Sequence, residues 1–150
     1  MQPARDTRQG LLLAVLGLYL LIAGCIAFWP TPVDQSAGPW LAATFDSIHS
    51  SGVPSWINYD LLEFVANVIF FIPLTFLLTL LLGRRRWRLA LVIGVAVSIS
   101  IELCQLLFIA ERFASVADVV ANAIGSAAGC LLAQRALGRR TDHGVGKPRM

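Results

Sequence analysis

Hydrophobic positions along the chain gather into four long runs separated by short polar breaks. The first extends from about Gly10 to Trp29, the second from Leu61 to Leu82, the third from Leu89 to Ile109 and the fourth from Val116 to Leu137. Each is about 20 residues, the length a helix rising ~1.5 Å per residue needs to cross a hydrocarbon layer ~30 Å thick. The pattern therefore predicts an all-α membrane protein, a single-domain bundle of four transmembrane helices. The rest of the chain divides into a short N-terminus (1–9), an outer loop of 31 residues (30–60), a basic loop (83–88), a six-residue turn (110–115) and a tail (138–150). The tail lacks periodicity and is expected to be disordered.

The long loop is punctuated by Pro30, Pro32, Gly38, Pro39, Gly52 and Pro54 and carries Asp34, Asp46 and Asp60 without a single Lys or Arg. Leu41, Phe45 and Ile48 recur at helical spacing, so a short amphipathic helix is expected on the membrane surface with Trp40 and Trp56 at headgroup level. An ordered loop with a few apolar anchors is the alternative. In the first run, Leu21 to Cys25 has the form of a lipoprotein signal. The run continues past Cys25 through Phe28 and Trp29, longer than signal cores usually are, and this favours an uncleaved span.

Composition agrees with this division. With 57% hydrophobic residues, 14% charged residues and a mean hydropathy of +0.71, a soluble domain of 150 residues could not bury the apolar surface. The net charge of +3 comes from basic residues clustered between apolar runs, which marks orientation and not a nucleic-acid surface. With both termini and the Arg84, Arg85, Arg86 and Arg88 cluster inside, Arg112 alone among the 12 Lys and Arg residues falls outside, giving an N-in/C-in topology. Cys25, Cys104 and Cys130 lie within apolar runs and form no Cys-x-x-Cys pair, so they are expected to pack as small hydrophobes, with no metal site or disulfide framework.

Polar residues inside the spans are the candidates for chemistry, because an ionisable group in a bilayer costs several kcal/mol unless it faces protein or water. Orientation places Asn67, Glu102, Gln105 and Asn122 in the outer leaflet, with Glu63, Arg112 and Asp118 just above. On the third span Ala90, Gly94, Ser98 and Glu102 follow at intervals of four, with Gln105 three further on. On the fourth, Asp118, Asn122, Gly125 and Gly129 share a face, and Gly125 and Gly129 make a G-x-x-x-G pair suited to close helix packing. The short turn makes these helices antiparallel neighbours, so Glu102 is expected to face Asn122.

Plainer roles are open for several of these residues. Ser115-x-x-Asp118 and Asp60-x-x-Glu63 have capping-box spacing, and the amides of Asn67, Gln105 and Asn122 suit interhelical bonds. Pro73 is expected to kink the second span. A carboxylate as deep as Glu102 needs protonation or a partner, which points to a functional pocket. The outward helix N-termini, with Arg112, favour an anion there, while Glu63 and Asp118 partly cancel that field. Glu102 and Asp118 are also the catalytic candidates if a reaction occurs. His49 lies in the loop and His143 in the tail, and no nucleophile-and-base pair, metal-ligand cluster or cofactor motif is evident.

The run Asn67-Val-Ile-Phe-Phe-Ile-Pro73, then Ser98-x3-Glu102-x2-Gln105, then Arg112-x5-Asp118-x3-Asn122-x2-Gly125-x3-Gly129, resembles the VanZ-like family of bacterial membrane proteins. The resemblance covers the second to fourth spans. It implies a role in the cell envelope at the bacterial cytoplasmic (inner) membrane, since the founding member is linked to low-level teicoplanin resistance. Thr75 stands where a Gly often follows the Pro-Leu, and Ser115 where an additional acid is common. Three functions are carried forward. One is recognition of a lipid, lipid-linked glycan or glycopeptide by Asn67, Glu102, Gln105, Arg112, Asp118 and Asn122. The others are an intramembrane enzyme using Glu102 and Asp118, and a structural accessory subunit. The expected partners are membrane lipids or a lipid-linked envelope precursor, with a second copy or another membrane protein left open.

Overall fold

The computed structural model describes residues 3–28, 38–108 and 115–142. It contains five α-helices, α1 (Pro3–Ala27), α2 (Gly38–Ser50), α3 (Tyr59–Leu82), α4 (Trp87–Phe108) and α5 (Val116–Asp142), with a 3₁₀ turn at Arg84–Arg86. No strand occurs among the described residues. Of the five, α1, α3, α4 and α5 are long and apolar enough to cross a membrane, so the chain is a multi-pass membrane protein.

Helix bounds differ from the apolar runs in instructive places. Hydropathy marks the thickness of the bilayer, not the end of a helix, and α5 continues through Asp142, shortening the expected tail at its start. Residues 143–150, His143 among them, lie outside the described residues. The periodicity in the long loop becomes α2, where Leu41, Phe45 and Ile48 are all half-buried. Trp40 and Trp56 are exposed at 69% and 66%. The basic loop is shorter than its sequence bounds. Gly83, at φ +85°, ends α3 with its N–H bonded to the Thr79 carbonyl, a backbone conformation that suits glycine, and Trp87 and Arg88 already belong to α4.

At the opposite end of α3 the cap is Asn58, whose side chain accepts a 3.0 Å hydrogen bond from the Leu61 N–H. The Asp60-x-x-Glu63 box expected from spacing is thereby displaced by two residues, and Asp60 sits in the first turn, where its charge complements the helix dipole. Asn58→Ala should cost about 1 kcal/mol, seen as a lower melting temperature in detergent and faster amide exchange confined to the first turn of α3. The cap of α5 is the anticipated one, with Ser115 Oγ accepting from the Asp118 N–H at 3.4 Å.

Side-chain bonds between α3 and α5 fix their packing. Asn67 meets Asp118, Thr75 meets the Ser126 carbonyl and Thr79 meets Cys130, each pair 51 residues apart. A constant offset means two parallel helices in fixed register over a rise of about 18 Å. Gly125 and Gly129 make the close approach, for a Cβ on either would run into the α3 backbone at Val68 or Ile72. The G-x-x-x-G face therefore packs on α3, and not on its chain neighbour α4.

The α4 helix runs antiparallel beside them and buries Ala90, Gly94, Ser98, Glu102 and Gln105, the stripe read from sequence. Gly94 sits at the junction of three helices, where a Cβ would meet Thr75 and Ser126. Thr75 fills this junction. The α1 helix is peripheral: 11% of its span is buried against 39% of α5. It is held by Leu16, which packs with Phe71 and Leu74, and by the Tyr19 hydroxyl, which donates to the Phe70 carbonyl.

Candidate functional site

The upper end of the bundle carries Asn58 and Ser115, and the lower end the Arg84–Arg86 turn. Below the upper surface, α1, α3, α4 and α5 part to leave a cavity of about 500 Å³. Asn67, Glu102, Gln105, Asp118 and Asn122 all line it, with Glu63 and Tyr59 toward its upper side and Phe70, Phe71 and Ile101 below. Five of the six ligand-binding candidates thus share one space. Arg112, the sixth, lies outside the described residues.

Each polar group is held by a different device. Asn67 Nδ2 donates to Asp118 Oδ1 at 2.8 Å, which joins α3 to α5 at the top of their shared register. Glu102, 7% exposed, accepts from the Ser115 backbone N–H at 3.0 Å, so α4 and the start of α5 are tied through a carboxylate. Gln105, also 7% exposed, donates from Nε2 to the Ala27 carbonyl at 2.8 Å. That carbonyl is among the last four of α1 and has no partner within its own helix.

Asn122, 4% exposed, donates from Nδ2 to Ser98 Oγ at 2.9 Å, while its Oδ1 is buried with no hydrogen-bond partner. Glu102 and Asn122 both line the cavity. A helix-packing residue, Ser98, takes the amide, and the acid turns to a main-chain donor. The spacing put both residues on facing stripes, but which donor satisfies an acid depends on backbone groups that no side-chain pattern displays.

Gln105→Leu should therefore loosen the upper end of α1. An interhelical bond of this kind in a membrane contributes about 0.6–1.7 kcal/mol, and the change should appear as faster amide exchange at Gly24 to Phe28 with α3 and α5 unaffected.

A second recess of about 530 Å³ opens on the other side of Glu63 and Asp118, lined also by Trp56, Asn58, Asp60 and Ser115. The two carboxylates stand between the recess and the cavity, and the exposed Trp56 ring is at the rim. Tyr59 and Ala66 on the cavity wall escaped sequence reasoning, as did the place of Leu41 there, which the amphipathic helix α2 supplies. Among the described residues, no group of three His, Cys, Asp or Glu side chains is arranged to hold a metal ion. Cys25 is exposed on α1, Cys104 is half-buried, and Cys130 is buried with its sulfur against Thr79.

The polar residues of the cavity are drawn from three helices, and the model of the VanZ/LLP1 family matches residues 14–137. The chain belongs to the VanZ/LLP1 family. The match takes in α1 from residue 14 onward and α2 as well as the three spans that carry the polar residues, so the whole cavity wall falls within the family unit. No curated protein and no solved structure matches the chain. What this VanZ/LLP1 cavity can do chemically follows from its groups. It offers carboxylates and amides above an aromatic and aliphatic floor, a lining suited to holding a polar group.

Proposed function

We propose that this VanZ/LLP1 protein lies in the bacterial cytoplasmic membrane with both termini and the Arg84–Arg88 segment inside. In this reading the upper cavity binds the polar head of a lipid, lipid-linked glycan or glycopeptide in the outer leaflet and contributes to a teicoplanin-type resistance response. The orientation rests on the positive-inside distribution of Arg and Lys.

One observation carries the binding reading. The carboxylates of Glu102 and Asp118 and the amides of Asn67, Gln105 and Asn122 converge from three helices on one cavity of about 500 Å³. Interhelical glue needs neighbouring groups to meet directly, whereas here they surround a space large enough to admit a polar head. A head group that donates hydrogen bonds would meet the carboxylate acceptors on that wall. In this reading Glu102, Gln105, Asn67 and Asp118 supply further contacts, and Arg112 pairs with a phosphate or carboxylate of the same ligand.

Native mass spectrometry of protein released from lipid nanodiscs tests this, comparing wild type with Glu102→Gln. A glutamine can still accept from the Ser115 N–H, so that tie is kept while the charge is removed, and a melting temperature measured beside the spectra checks the fold. A charged hydrogen bond contributes about 1.5–3 kcal/mol, so retention of a defined lipid should fall roughly 10- to 100-fold. Equal retention of the same mixed lipids by both proteins would reject the site and leave the cluster as bundle glue, with a protein partner as the next thing to seek. Chemical turnover of the retained lipid that stops in Glu102→Gln would instead assign an intramembrane reaction to Glu102 and Asp118.

A further inference from the structure

An apolar groove of about 170 Å³ runs between α1 and the α3–α4 face. Phe70, Phe71 and Ile101 line both the groove and the polar cavity, so the two spaces share a wall. Their chemistry is opposite. The cavity displays Glu102, Gln105 and Asn122, whereas the groove continues past Ala23 and Gly24 to Leu74 and Val97. Its one polar lining group, the Tyr19 hydroxyl, is committed to the Phe70 carbonyl.

Depth orders these spaces. Leu74 lies about two turns below Asn67 on α3, and Val97 about two turns below Gln105 on α4. Polarity therefore falls from the upper surface toward the middle of the bundle, in the direction that a lipid of that leaflet runs from head to chain. The sequence keeps the groove open with small residues: at Gly24 an added Cβ would meet nothing within 4 Å.

We infer that the molecule whose head enters the cavity is a membrane lipid, and that one of its hydrocarbon chains lies in the α1–α3–α4 groove. This rests on the head-group reading above and names the ligand class. A water-borne glycopeptide would use the cavity and recess and leave the groove to bulk lipid. An ordinary annular lipid would fill the groove without regard to Glu102.

The test uses nanodiscs of phosphatidylethanolamine and phosphatidylglycerol carrying a diazirine in one acyl chain, with photolabelled peptides mapped in wild type, Glu102→Gln and Gly24→Phe. In wild type, label should concentrate at Ala23, Gly24, Leu74 and Val97 over the outward face of α1. Groove label should fall about tenfold or more in Glu102→Gln, because the chain leaves with its head. Gly24→Phe should give the same loss of label and of lipid retention, since the groove then lacks room to bury several methylenes. Melting temperature and monodispersity are measured beside it, so that loss of label is read only in folded protein.

Groove label that persists in Glu102→Gln, or that never exceeds the outward face of α1, overturns the inference. Retention in native mass spectra separates the two readings. If it still falls in Glu102→Gln while groove label does not, the head site stands and the chain site fails. If neither changes, both fail.

Discussion

Gly129→Val should remove most of the folded protein, the largest stability effect of any single change considered. A Cβ at this position would overlap the Ile72 carbonyl oxygen and crowd the Phe76 nitrogen. Both belong to the α3 backbone and cannot turn aside as the end of a side chain could. The helices must separate, and the Thr75–Ser126 and Thr79–Cys130 bonds beside them lengthen together. Overpacking typically costs about 1–3 kcal/mol and sometimes more, and parting two helix backbones belongs at the top of that range, a large fraction of the ~5–15 kcal/mol that holds a folded protein. Fluorescence-detected size exclusion and a thermal melt in detergent would measure it. Gly129→Ala should be milder but visible. Gly17→Val should match wild type, because nothing lies within 4 Å of its added Cβ. Equal stability of Gly129→Val and Gly17→Val would show that the α3–α5 contact is looser than described.

The same glycine shows where sequence reasoning stopped. Spacing alone placed Ala90, Gly94, Ser98, Glu102 and Gln105 on one face of α4, and all five are buried. Spacing also placed Asp118, Asn122, Gly125 and Gly129 on one face of α5. It did not say which neighbour that face meets. A six-residue turn makes α4 and α5 adjacent, but closest approach is decided by which surface lets two backbones come together, and α3 offers its main chain at Val68 and Ile72. The 51-residue register between α3 and α5 leaves no mark in either helix read singly.

The candidate site was legible for a related reason and illegible for another. Polar residues at bilayer depth stand out in any apolar run, and so Asn67, Glu102, Gln105, Asp118 and Asn122 could be named and are found around one cavity. Their partners were hidden because several are main-chain groups. Glu102 takes the Ser115 N–H, Gln105 takes the Ala27 carbonyl, and Asn58 caps α3 from outside the apolar run. The floor of the cavity and the groove beyond depend on where α1 docks, which turns on Tyr19, Leu16 and Gln105 and on no motif.

Asn67→Asp should be nearly as damaging as the glycine change, and its repair separates structure from recognition. Asn67 Nδ2 and Asp118 Oδ1 are 2.8 Å apart, so the substitution sets two carboxyls against each other where a donor met an acceptor. Two like charges about 4 Å apart repel by up to about 4 kcal/mol in a partly shielded site, and α3 and α5 should part at their uppermost rung. Adding Asp118→Asn reverses the pair: the amide now donates from α5 to a carboxylate on α3, and abundance and melting temperature should return close to wild type. Lipid retention should not return. The negative charge has moved from α5 to α3, away from the Ser115 cap and from the boundary between cavity and recess, so a ligand positioned by Asp118 loses its contact while the helices keep theirs. Native mass spectra of wild type, Asn67→Asp and the double variant would show this as a folded double variant without its defined lipid. A double variant that regains both fold and lipid would assign the pair to bundle structure and leave recognition to Glu102, Gln105 and Asn122.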